Sequence, residues 1–133
     1  MRILGHEELT LRWGELAPQI EKSLVHGLGN TTSYDLFIEV LKGAAQCWVL
    51  EENNKLKAVA MTRIIEYTTY KEFVIVTTTG KGWFKYGPPI LVKFEEFAKK
   101  MGCKYASVYG RKGWARALPK EYKQPFTVLM KEI

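Results

Sequence analysis

Hydrophobic periodicity first changes along this chain at Ala45, and that change decides which folds are open to it. Before it, Trp13, Leu16, Ala17, Ile20 and Leu24 recur at helical spacing and run into Gly27 and Gly29, which suit a helix end. Thr32 or Ser33 then caps a second helix, with Leu36, Phe37, Val40 and Leu41 as its buried face, Asp35 at its positive end and Gly43 past its stop. After Ala45 the chain reads QCWVL, a turn at EENN, KAVAMTRIIEY, a turn near TTYK, and EFVIVTTT. Rich in β-branched and aromatic residues, these runs predict an antiparallel meander of three strands.

Further on, Pro88 and Pro89 mark a helix start, and Ile90, Leu91, Phe94, Phe97, Ala98 and Met101 form one apolar stripe that Gly102 ends. YASVY predicts a short strand, KGWARAL a short helix and FTVLMK a closing strand. The predicted class is α+β (mixed α/β): a central, mostly antiparallel sheet with helices on both faces, in which EFVIVTTT and YASVY form one parallel crossover pair. With 133 residues, 47% of them hydrophobic, the chain has the material for one domain spanning 1–133 and none for a second.

No basic leader with an apolar stretch opens the sequence, and no apolar run reaches the roughly 18 residues of a membrane span, so a cytosolic protein without a membrane partner is expected. Cys47 and Cys103 stand far apart, which predicts reduced, buried thiols and no metal site. Charge is divided unevenly. Residues 1–70 hold 7 basic and 9 acidic side chains, and residues 71–133 hold 13 and 5, so the halves carry −2 and +8. The second half should offer a positive field to a phosphate-bearing partner, although no base-reading motif supports nucleic-acid binding.

The stretch TTTGKGW, residues 77–83, ends a strand with two glycines around a lysine. Such a loop can aim several backbone N–H groups at an anion. Together with the element order it resembles the GNAT-type N-acetyltransferases, whose loop reads Gln or Arg, two residues, Gly, one residue, then Gly or Ala, and holds the pyrophosphate of acetyl-coenzyme A (acetyl-CoA). The register here is Thr77, Thr78, Thr79, Gly80, Lys81, Gly82: both glycines match, Thr77 replaces Gln or Arg, and the helix is expected only at Pro88. The resemblance implies cofactor binding by Thr78, Thr79, Gly80, Lys81, Gly82 and Trp83. The run CKYASVYGRKGWARAL, with CWVL and TRIIEY, is similar to small GNAT-like proteins of tailed bacteriophages, implying a phage-type accessory protein in the host cytoplasm or the virion.

Acetyl transfer to an amine needs a base, donors for the developing oxyanion and an acid for the departing thiolate. In GNAT enzymes these are often a Glu near the central strands, a strand N–H, and a Tyr on the helix after the fifth strand. Glu66 and Glu72 flank the second hairpin as candidates for the base, though a place beside a turn favours solvated carboxylates. Trp114, Ala115, Arg116, Ala117 and Leu118 include no Tyr, which leaves Tyr109 and Tyr122 as candidates for the acid. Lys85, Arg111, Lys112, Trp114 and Arg116 could contact an anion or a partner, the indole lying beside guanidinium groups, and Trp114 could equally anchor the short helix. The alternative to an enzyme is a catalytically silent module that docks a host or virion protein through Trp83, Phe84 and Tyr86.

Overall fold

The structure, a computed structural model, describes residues 1–25, 29–80, 83–110 and 113–133, with the backbone alone for residues 83–86, 113 and 115. Its elements run β1 (Arg2–Ile3), α1 (His6–Leu24), α2 (Ser33–Leu41), β2 (Ala45–Glu52), β3 (Lys55–Glu66), β4 (Lys71–Thr79), α3 (Trp83–Lys100), β5 (Tyr105–Val108) and α4 (Gly113–Ala117). The five strands form one sheet in the order β1-β2-β3-β4-β5, antiparallel throughout except for the parallel pair β4–β5. The mixed sheet inferred from the sequence is present, with its parallel crossover across α3.

Local chemistry explains the joints. Asn53 and Asn54 both take left-handed backbone angles, as a two-residue hairpin between right-twisted strands requires. Thr32 accepts from the Asp35 N–H while Asp35 accepts from the Thr32 N–H, a reciprocal box that fixes the start of α2. Arg2 is clamped by Glu8 at 2.8 Å and Glu51 at 3.2 Å, which holds the short β1 against β2.

The sheet carries a core on each face. Leu9, Leu16 and Ile20 of α1 and Leu36 and Val40 of α2 pack on Cys47, Val49, Val59 and Met61. On the other face Ile90, Leu91, Phe94 and Ala98 of α3 pack on Trp48, Ala60, Phe73 and Ile75, with Phe94 edge-on to Trp48 at 4.8 Å. There the Trp48 Nε1–H donates to Thr62 Oγ1, which donates to Gln46 Oε1, each at 2.8 Å, so the buried polar atoms in this row are satisfied.

Two expectations are corrected. Helix α3 begins at Trp83, five residues before Pro88, and both prolines lie inside it. Proline's fixed φ is helical, and the two missing N–H groups remove one intrahelical bond each, in the second turn of α3. The segment FTVLMK forms no strand: residues 126–131 are irregular and exposed. Strand propensity describes fitness for a ladder, and the ladder still needs a neighbour.

Candidate active site

Strand β4 pairs with β5 from Glu72–Tyr105 to Ile75–Val108, where that ladder stops, while β4 continues beside β3 to Thr79. Among the described residues, residues 76–79 of β4 therefore have a strand partner on one side only. The β3–β4 register shifts between Met61, opposite Thr77, and Thr62, opposite Ile75, leaving Val76 as an extra residue. A bulge of this kind bends and twists its strand, here at the point where β4 and β5 part. Thr77, at the position of the GNAT Gln or Arg, is buried and shares a hydroxyl–hydroxyl hydrogen bond with Ser23 in the last turn of α1.

Gly80 closes β4 with φ +120°, and a Cβ there would lie 2.2 Å from the Lys57 carbonyl oxygen and 2.8 Å from the Ala58 Cα. Only glycine fits so close to the backbone of β3 at that angle. Lys81 and Gly82 lie outside the described residues. With α3 beginning at Trp83, the unpaired N–H groups of its first turn follow the glycine segment directly, the placement in which a helix terminus meets an anion.

Below the parting point lies a polar cluster. Glu72 is 7% exposed, and its Oε2 accepts from the Ser107 hydroxyl and, at 3.2 Å, from the Tyr109 hydroxyl. The expectation that Glu72 is solvated is thereby corrected: its side chain points inward beside β5, with the turn behind it. Burial first, then the negative charge of Glu72, pushes the Tyr109 hydroxyl up to about 12 and raises that of Tyr67. Ser107 was missed in the sequence because an isolated Ser in a short strand carries no motif. Opposite Glu72 stands Ile65, and one pleat along stands Arg63, a diagonal neighbour on the same face. Arg63 bonds Glu39 of α2 at 2.6 Å, and its Nε is buried without a hydrogen-bond partner among the described residues. It lines an open groove of about 580 Å³ with Tyr34, Ile38, Glu39 and Lys42.

The other sequence candidates are spread out. Glu66, at the end of β3, is 72% exposed in its side chain and pairs with Lys71 at 3.4 Å, an arrangement with little energetic weight. Tyr122 packs on the α3 face, away from the Glu72 face, where burial and then Glu95 push its hydroxyl up to about 12. Thr78 and Thr79 lie on the strand segment that β5 leaves unpaired. The Trp114 indole covers Gly110, where a Cβ would come within 2.5 Å of it, so α4 is seated on the end of β5, and Arg116 is exposed. Arg111 and Lys112 lie outside the described residues, as do the side chains of Trp83, Phe84, Lys85 and Tyr86.

Tyr122 gives the fold an alkaline signature. Its hydroxyl stays protonated in the folded state to about 12 but ionises near 10 when unfolded. Its contribution is intact below 10 and is lost as pH rises toward 12. Urea unfolding should show stability falling through that window, with a shallower fall in Tyr122→Phe.

Among the described residues no helix is long and apolar enough to cross a membrane, and no group of three His, Cys, Asp or Glu is placed to hold a metal ion. Cys47 is buried, which pushes its thiol up to about 12, and Cys103 is half-buried.

No protein-family model and no curated protein matches the sequence. Solved structures do match. An aminoglycoside acetyltransferase from an uncultured soil metagenomic sample superposes with a TM-score of 0.72 at 14% identity, covering 99% of this chain and 94% of that one. A GCN5-related N-acetyltransferase from Ralstonia eutropha gives 0.71 at 17% identity, covering 99% and 96%, and a GNAT family acetyltransferase from Staphylococcus aureus gives 0.64 at 17%, also covering 99% and 96%. With a sheet that parts beyond one parallel pair, a glycine-turned loop leading into α3, and these neighbours over nearly its whole length, the chain has the fold of the GNAT acetyltransferases.

Proposed function

We propose that the protein is an acetyl-CoA-dependent N-acetyltransferase whose base is Glu72. The observation that carries this reading is a buried carboxylate held by Ser107 and Tyr109, at the first rung of the strand pair that parts beyond Ile75–Val108. The residues at that opening fit the cofactor. Residues 76–79 of β4 present an edge that β5 does not use, Gly80 turns the backbone where a side chain is forbidden, and the first turn of α3 supplies N–H groups for phosphate oxygens. Acetyl-CoA supplies an acetyl group activated as a thioester.

The residues of this chain then do the rest. The amine acceptor takes its place on the face of the sheet that Glu72 shares with Arg63, and Glu72 takes its ammonium proton. As the nitrogen–carbonyl carbon bond forms and the carbon–sulfur bond breaks, backbone N–H groups of residues 76–79 stabilise the oxyanion. The Tyr109 hydroxyl, still protonated at neutral pH, gives its proton to the departing thiolate and regains one from the newly acylated nitrogen, while Glu72 releases the proton it took to water. Tyr109 thus takes the place of the tyrosine that α4 lacks.

A thermal melt tests the binding half of this reading. Acetyl-CoA at a hundredfold excess over its Kd should stabilise the fold by about 2.7 kcal/mol and raise Tm by on the order of 10 °C. An unchanged Tm at millimolar acetyl-CoA would remove the proposal.

A further inference from the structure

We propose that the amine acceptor carries a carboxylate a few carbons from its nitrogen, and that Arg63 holds this carboxylate while the nitrogen meets Glu72. The inference rests on the acetyl-transfer reading above for the role of Glu72. The rungs Arg63–Val74 and Ile65–Glu72 make the two residues diagonal neighbours on one face of the sheet. Diagonal neighbours stand about 7–8 Å apart, so the two ends of one small zwitterion can reach both. The charges match, since an ammonium faces the buried carboxylate and an anion the guanidinium. Arg63 is also accessible: 27% of its side chain is exposed, and it lines the groove of about 580 Å³ beside α2.

In that groove the unused hydrogen-bonding capacity lies on the cations. Asp35 is occupied by the Thr32 N–H in the capping box, and Glu39 by Nη2 of Arg63. By contrast, Nε of Arg63 is buried without an acceptor, and Lys42 has no ion pair among the described residues. A donor on a charged group that is shielded from water and left unpaired is costly. Because Glu39 grips a single nitrogen, the guanidinium can turn, and a carboxylate arriving from the groove meets its planar edge through two parallel bonds. A phosphate fits less well, since Glu39 already lies against the guanidinium and a second negative charge on the ligand would be repelled by it. A residue that only tied α2 to the sheet would be indifferent to the charge of a ligand.

Proton–nitrogen NMR of the full chain reads the Arg63 Nε–H directly and needs no turnover. Millimolar β-alanine and γ-aminobutyrate should shift that resonance, whereas ethylamine and propylamine, the same chains without the carboxylate, should leave it in place. Loss of the resonance in Arg63→Met, or its displacement in Glu39→Gln, identifies it, and either variant suffices. With its competitor gone, the guanidinium of Glu39→Gln should bind γ-aminobutyrate several-fold more tightly, a gain that breaking a purely structural clasp cannot produce. In turnover, Arg63→Met should raise KM for γ-aminobutyrate by about 10–100-fold, the usual worth of a hydrogen bond to a charged group. A resonance that ignores both acids, or that moves equally with the matched amines, overturns the proposal, as does a larger response to phosphoethanolamine. The acetyl-transfer reading is judged separately by the acetyl-CoA melt: an unchanged Tm together with a carboxylate-selective shift sinks that reading and leaves the carboxylate site standing.

Discussion

Glu72→Gln should slow acetyl transfer by about 10²–10⁴-fold, the usual worth of a positioned general base, while leaving the acetyl-CoA thermal shift in place. The amide keeps the volume of the carboxylate and one acceptor oxygen for Ser107 and Tyr109, so the buried site stays packed. What it cannot do is accept the ammonium proton. Release of free coenzyme A thiol in the presence of a panel of primary amines would measure the loss, and a rate equal to that of the wild type would sink the assignment of the base. Glu66→Gln is the matched control, because that carboxylate is exposed at the hairpin and pairs with Lys71. Its rate should be unchanged. Tyr109→Phe should fall between the two, because water can replace a proton donor more readily than a base fixed between two hydroxyls.

Gly80→Ala should lower the free energy of unfolding by about 3–5 kcal/mol, combining the strain of a side chain at a forbidden backbone angle with overpacking. The obstacle is main chain: the Lys57 carbonyl oxygen at 2.2 Å and the Ala58 Cα at 2.8 Å. Neither can rotate aside, so relief means separating β3 from the end of β4. Since a domain of this kind has about 5–15 kcal/mol in total, about a fifth or more of its stability is at stake, and the urea midpoint should drop by roughly 2 M. Gly102→Ala separates the two contributions, for Gly102 has φ +80° with nothing within 4 Å of a new Cβ. That variant should lose about 1–2 kcal/mol from backbone strain alone. Equal losses at the two glycines would mean that contact with β3 contributes nothing.

Much of the architecture was legible because period is local. The 3.6-residue and 2-residue patterns on either side of Ala45 need no knowledge of partners, and the loop glycines located the end of β4. Pro88 and Pro89 do not mark the start of α3, because proline's fixed φ is itself helical, and Trp83 begins the element. The closing strand is absent for a different reason, since pairing is a property of two segments and the pattern reports on one. At the site the loop is legible, whereas a place beside a turn gives Glu72 the pattern of a solvated carboxylate. The parity was available: Glu72 shares its alternation with Val74, a buried residue, whereas Glu66 is the last residue of its strand. Its hydrogen bonds with Ser107 and Tyr109 depend on the parallel register of β4 with β5, set by a crossover of some thirty residues, and no sequence window of helical or strand length contains both.

The shortest element limits how far such a molecule can assemble. Strand β1 is two residues long, and the guanidinium of Arg2 ties it to carboxylates on both sides, Glu8 and Glu51. An incoming chain would find almost no template there and would have to break a charged clasp to make one. Among the described residues, strand addition to this sheet is thus confined to the opposite margin, β5, and stacking of sheets through both margins at once is closed off.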